Sequence, residues 1–414
     1  MIKLYKYIAL LTFILILIKV SGFLRTLSIA NFFGANQNTD AIFLSLSVII
    51  LLYMITLKAF SEGIIPYLSE NFSKAFFCNN FLVIFTICII LNIVIFYFGE
   101  TIINVLGPGL EDNAKVIATK SLKIFSFAIY PMLLNSLLSA YLNYLKYYNT
   151  VYIGDLIRNF AILFMIFFSH SNVFIIPYGW LVGCWISIIF ILIAFFRNVY
   201  KKLNLSCQKI KIIKTGILYS ISINFLIYFT VLVDKFFLSN TVPGTIAKFS
   251  YADSMRAIIL ATIVTAASKV FLVEFTNNTS DTKKPLLTTI VYIFICALLL
   301  FIFSYPISKI LFFRGKIILV DIEVISNILK FIALSLPFYS LFQILSQKLF
   351  SKKNYLYVLK GLIFFVIIKI AICYFLFSSL KLYSILLSKI FFEISISFLV
   401  IIYFLKNRKV KVRL

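Results

Sequence analysis

KVSGFLRTLSIANFFGANQNTDAIFLSLSVIILLYMITLKAFSEGIIPYLSE, residues 19–70, carries the pattern that decides the fold. An apolar run bearing Lys19 and Arg25 ends in the Gly/Asn-rich turn Gly34–Asn38. Asp40 then opens a second apolar run, which leaves through a polar exit at Glu70. Two hydrophobic segments of this length, separated by a short turn, read as a pair of membrane-spanning helices. Charge inside such segments is expensive unless it pairs or lines a hydrated cavity. Lys19, Arg25 and Asp40 are therefore the first functional candidates.

Outward from that stretch the same texture continues. Of 414 residues, 62% are hydrophobic and only 13% charged, more apolar surface than a soluble domain could bury. Short alternating segments of the β-barrel kind are absent, so the expected class is an all-α polytopic membrane protein. Met1–Val20 begins basic but no small-residue cleavage site follows, so the first span is expected to be retained. Six scattered cysteines form no metal or redox spacing, and the single histidine, His170, falls in a short loop. No metal, cofactor or catalytic constellation is expected. The net charge of +25 sits in loops and termini, which reads as membrane topology rather than nucleic-acid binding.

About twelve spans are expected, starting near residues 5, 41, 79, 122, 151, 174, 213, 246, 287, 323, 354 and 384. Alternate loops differ in charge. One set holds Lys74, Lys146, Arg197–Lys214, Lys283/Lys284, Lys348–Lys353 and the tail from Lys406 to Arg413; the other is poorer in cations or balanced by acids such as Glu100, Glu111 and Asp112. The cation-rich set reads as cytoplasmic, which puts both termini inside. The chain also repeats. Pro131 precedes Pro337 by 206 residues in similar contexts, and Ala59-Phe60-Ser61 precedes Ala267-Ser268-Lys269 by a similar offset. Two pseudo-symmetric six-helix lobes follow, residues 1–200 and 215–414, joined by a basic cytoplasmic linker at 201–214. Repeated transporters hold substrate between their halves near the midplane.

Several short motifs carry a resemblance. Gly22-Phe23-x-Arg25, Phe33-Gly34-Ala35, Thr39-Asp40-Ala41, Leu106-Gly107-Pro108-Gly109, Val233-Asp234-x-x-Phe237, Tyr251-Ala252-Asp253 and Leu311-Phe312-x-Arg314-Gly315-Lys316 follow one another in an order that resembles the MviN/MurJ family of bacterial lipid-linked oligosaccharide flippases. The resemblance implies a flippase of the multidrug/oligosaccharidyl-lipid/polysaccharide exporter type in the bacterial inner membrane. It would move a polyprenyl-diphosphate-linked glycan, a peptidoglycan precursor or a surface-polysaccharide unit, to the outer leaflet by alternating access, with no covalent chemistry. The partners so implied are the glycan lipid, membrane lipids and a coupling cation (Na+ or H+). Two departures stand out. Leu52 and Tyr53 occupy the place where the family tends to carry arginine late in the second span, and Arg256 follows Asp253 only after Ser254. Family members of fourteen spans use the last pair for the lipid tail; with twelve here, a non-peptide polyprenyl-diphosphate glycan is expected to be accepted at least as well as lipid II.

On this reading Lys19, Arg25, Asp40, Asp253 and Arg256 form the diphosphate-binding cavity, because cations in a hydrated cavity replace water around a phosphate and arginine can do so bidentately. Each has a plainer alternative. Arg25 could be a snorkelling anchor, Asp40 a helix cap, and Asp253 and Arg256 a self-neutralising pair three residues apart. Ser21-Gly22 either bends the first helix or permits close packing. Lys369 and Glu393, with Lys389 a turn earlier, read as a buried structural pair or an ion site coupling transport. When the closing of the outer side is considered, the Phe33–Asp40 turn is expected to face the Asn240–Ala247 turn. The rival classes are a cation-coupled drug exporter, which would want acids rather than cations in its cavity, a membrane glycosyltransferase, which would need a larger loop domain, and a transport-inactive scaffold of envelope-glycan synthesis.

Overall fold

A computed structural model describes residues 2–57, 68, 72–145, 147–168, 172–203, 215–260, 264, 283–351 and 354–411. Its elements are helical: α1 (Ile2–Phe33), α2 (Gln37–Leu57), α3 (Lys74–Leu106), α4 (Asp112–Ser126), α5 (Ile129–Tyr144), α6 (Tyr148–Phe168), α7 (Ile175–Asn198), α8 (Thr215–Ser239), α9 (Thr245–Ile259), α10 (Lys283–Ile302), α11 (Ser304–Phe312), α12 (Leu319–Ser351), α13 (Tyr355–Leu380) and α14 (Leu382–Lys411). There is no β-strand among the described residues. The all-helical expectation holds, and helices satisfy within each segment the backbone polar groups that hydrocarbon cannot.

Ten of the helical segments are long and apolar enough to cross a membrane, and α10 with α11, bent by 72°, makes an eleventh. The span expected from residue 246 is described only through residue 260 and at 264, so its inner part lies outside the described residues. So do the Ala59-Phe60-Ser61, Ala267-Ser268-Lys269 and Glu70 motifs, His170, and most of the basic linker. Helix α3 shows what the outer faces look like: Leu82, Val83, Phe85, Ile90, Ile93 and Phe96 are all exposed, which in this chain means facing lipid.

Element boundaries recur at a near-constant spacing. Lys74 and Lys283, Asp112 and Leu319, Tyr148 and Tyr355, and Ile175 and Leu382 open corresponding helices at separations of 207 to 209 residues. Prolines distinguish the halves. Pro131 is the third residue of α5 and Pro306 the third of α11, positions where a missing N–H leaves no helical bond unmade. A break precedes each, so the first half interrupts its fourth span whereas the second half bends its third. Pro337 lies inside the continuous α12.

The structure has two compact units, Met1–Ile246 and Ala247–Leu414. In the first, α6 packs along α1 and α7, α2 along α4 and α8. The ladder between α1 and α6 rises in parallel: Asn159 meets Ile18, Ser21 and Arg25, and further along Phe32 meets Phe167 ring edge to face, 5.5 Å between centroids. In the second, α14 packs on α12 and α13, and α10 on α12, with Val264, Ile293, Ala297, Leu336 and Ile344 in one apolar core.

Candidate functional site

The first unit contains a half-buried polar cluster halfway along its spans. It is built on Asp155, Arg158 and Asn159 of α6, which at i, i+3 and i+4 share one helical face. Arg25 donates from Nη1 to Asn159 Oδ1 at 3.1 Å and stacks its guanidinium on Trp180 of α7, 4.5 Å from the ring centroid. Asn159 donates in turn to the Ile18 carbonyl at 3.0 Å and to Ser21 Oγ at 3.1 Å. Arg158 Nη2 lies 3.0 Å from Asp155 Oδ1 and its guanidinium hydrogen-bonds with Tyr53 of α2. Lys19 stands within electrostatic reach of Asp155, Arg158 and Arg25. The cluster thus gathers three cations and one carboxylate.

Close helix approach makes this possible. A Cβ at Gly183 of α7 would lie 2.8 Å from the Arg158 carbonyl oxygen, and Ser187 of α7 donates to the Gly154 carbonyl at 2.7 Å. Ser21 uses its hydroxyl locally, donating to the Ile18 carbonyl at 2.9 Å, and Gly22 leaves room for Asn159. The Ser21-Gly22 pair therefore serves packing against α6 while α1 continues unbroken to Phe33.

A second polar group sits at the turns. Asn36, not Asp40, caps α2: its Oδ1 accepts from the Asn38 and Thr39 amides at 3.0 and 3.1 Å. Asp40 instead reaches out of the helix and accepts from the Gly244 amide at 2.7 Å. Gly244 has φ +85 and a Cβ there would fall 2.3 Å from the Ala35 carbonyl oxygen, so the two turns touch backbone to backbone. Lys235 Nζ donates to the Phe43 carbonyl at 2.7 Å beside this contact.

The second unit holds a balanced network. Arg256 Nη2 is 2.9 Å from Glu393 Oε1 and Nη1 is 3.6 Å from Asp253 Oδ1; Lys389 Nζ reaches the same Asp253 oxygen at 3.6 Å. Arg256 also lies over the Tyr339 ring, and Lys369 is fully buried with its ammonium 5.6 Å from the Phe392 centroid. In the ion pairs themselves, the two cations Arg256 and Lys389 meet the two carboxylates Asp253 and Glu393. Lys248 and Asp321, 2.7 Å apart, form a further buried pair.

Of the expected site residues, Lys19 and Arg25 come together in the first cluster, Asp40 stands at the turns, and Asp253 and Arg256 join Glu393 in the second unit. The Asp253–Arg256 contact is present but the shorter partner of Arg256 is Glu393. Sequence reading missed Asp155, Arg158 and Asn159. Their signal was the run Gly154-Asp155-Leu156-Ile157-Arg158-Asn159 inside an otherwise apolar span, where two opposite charges at i and i+3 look self-cancelling.

A sequence profile of the family described as lipid II flippase MurJ matches residues 29–413. A probable lipid II flippase MurJ of Buchnera aphidicola subsp. Schizaphis graminum is 27% identical over 364 residues, 80% of this chain and 70% of that protein. One of Aquifex aeolicus is 23% identical over 359 residues, 82% of this chain and 71% of that protein. Among solved structures, a lipid II flippase MurJ in an inward closed conformation superposes with TM-score 0.80 at 21% identity, over 95% of this chain and 87% of that one. An outward-facing multidrug-resistance MATE transporter of the MOP superfamily gives 0.71 at 14% identity, over 96% of this chain and 94% of that one. These two likenesses show the fold, and the profile, covering nearly the whole chain, shows that it belongs to the MurJ family of lipid II flippases.

Proposed function

We propose that this chain moves a polyprenyl-diphosphate-linked glycan, of which lipid II is the family's substrate, from the cytoplasmic to the outer leaflet by alternating access. The observation that carries the reading is the excess of half-buried cations over acids in the cluster of Lys19, Arg25 and Arg158. Uncompensated positive charge at mid-membrane depth is unfavourable in the empty protein, and an anionic headgroup relieves it. Arg25 is too well held, by Asn159 and Trp180, to serve as a snorkelling anchor. Asp40 acts at the turn contact, where its bond to Gly244 helps to close one side. The network of Asp253, Arg256, Lys389 and Glu393, two cations against two carboxylates, favours a structural role over coupling-ion binding.

The moving bodies in this reading are the repeated lobes 1–200 and 215–414, hinged at 201–214, with both termini cytoplasmic. The MATE-like fold admits a drug exporter, but a cavity for cationic drugs calls for an excess of acids, and the first-unit cluster has the opposite sign. Depleting the protein from its native cell and extracting the lipid-linked intermediates tests the proposal. Accumulation of lipid II or another polyprenyl-diphosphate glycan is expected. An unchanged intermediate pool with defective envelope growth would instead support the scaffold reading.

A further inference from the structure

The Asp155–Arg158 pair has no part in the reading taken from the sequence, yet it stands against both Lys19 and Arg25. Resting on the proposed diphosphate-binding role of this cluster, we propose that Arg158 is a third substrate-binding cation and that Asp155 sets the charge of the cluster to match a diphosphate diester. Three observations carry this.

First, the pair is close but incompletely bonded. Arg158 Nη2 and Asp155 Oδ1 are 3.0 Å apart, while Arg158 Nε is buried with no hydrogen-bond partner among the described residues. Buried donors and acceptors are rarely left so unless a ligand or water completes them. Second, Arg158 is supported from behind. The Tyr53 hydroxyl bonds to it from α2 and Gly183 lets α7 press on its backbone, so the guanidinium is positioned rather than loose. Third, the charges add up. Lys19, Arg25 and Arg158 against Asp155 leave two positive charges, and a diphosphate linking a polyprenyl chain to a sugar is a diester with two negative ones. A single-phosphate diester carries one and would leave the cluster half neutralised. The site therefore discriminates by phosphate number.

The chain has two tryptophans, Trp180 beneath Arg25 and Trp185 facing lipid, so Trp185→Phe leaves one reporter in the cluster. Full-length W185F protein in detergent would be titrated with farnesyl-diphospho-N-acetylglucosamine and with farnesyl-phospho-N-acetylglucosamine, following Trp180 emission. Removing a charge-assisted contact by Arg158→Ala should weaken the diphosphate about tenfold and the monophosphate by much less. Arg158→Lys should fall between. Asp155→Asn should tighten diphosphate binding, an effect that loss of a merely structural ion pair would not give. If Arg158→Ala is not recovered folded, Asp155→Asn decides: tighter binding sustains the proposal, and unchanged or weaker binding overturns it. Should both variants titrate like the W185F parent while that parent binds, the role of Arg158 is refuted and the proposed function stands. Should the parent bind neither compound, the proposed function falls as well.

Discussion

Arg25 makes two contacts of different kind, a hydrogen bond to Asn159 and a stack on Trp180, and Asn159 is the hub that ties it to α1 through Ile18 and Ser21. Asn159→Leu would strip three buried partners at once. It should lower stability by about 1–3 kcal/mol, the range for leaving buried polar groups unsatisfied, and free Arg25 to move. Thermal unfolding in detergent checks this; an unchanged midpoint would mean that Asn159 is not the hub. The second unit supplies a sharper contrast. Arg256→Met should destabilise by about 3–5 kcal/mol because Glu393 is left buried and charged, whereas Arg256→Met combined with Glu393→Leu should recover most of the loss. If the double variant is as unstable as the single one, the two side chains are not coupled. Lys19 and Arg25 were legible in the sequence because a charge in an apolar run has few explanations. The Arg256–Glu393 bond was not, since nothing local in either segment names a partner on a distant helix. Asn159 was invisible for a simpler reason: it is uncharged, and its importance lies wholly in what it touches.

Helices α6 and α7 form the frame of the cluster, and glycine governs how closely they meet. Gly183→Leu would drive a side chain into the Arg158 carbonyl, where even a Cβ would sit at 2.8 Å. The helices must separate, with an expected loss of about 1–3 kcal/mol, typical of overpacking a close contact, and with Arg158 displaced from Tyr53. Unfolding midpoints of Gly183→Ala and Gly183→Leu should fall in that order; equal midpoints for both and the parent would contradict the packing. Element boundaries were largely readable, since the apolar runs that start near 41, 151, 174, 354 and 384 appear within a few residues as α2, α6, α7, α13 and α14. The breaks were not. Both lie three or four residues before a proline, at Phe127–Ala128 and at Phe303, yet Pro337 sits in an unbroken helix, so proline alone does not decide where a span bends.

At the scale of the whole molecule, the turn after α1 rests on the turn after α8 through Asp40 and Gly244. In a variant lacking the native cysteines, Asn36→Cys with Thr241→Cys should crosslink across these turns. Export should stop on oxidation and resume on reduction if the turns must part during each cycle. Undiminished export with the pair fully crosslinked would exclude alternation at this contact. Corresponding helix starts lie near 207 residues apart, close to the spacing of Pro131 and Pro337, although the helices differ in length. The charge balance of each cluster could not be foreseen, as it depends on which helices meet. That balance is the centre of the account, and leaflet translocation tests it most directly. Purified full-length protein would be reconstituted in liposomes, and the transfer of lipid II and of a non-peptide polyprenyl-diphosphate glycan between leaflets would be timed. The wild-type chain should transfer both well above empty liposomes, Arg25→Lys should keep part of the rate, and Arg25→Ala should lose at least about tenfold, the value of one charge-assisted contact, while remaining folded. Transfer by folded Arg25→Ala at the wild-type rate, or no transfer by the wild-type chain, would contradict it.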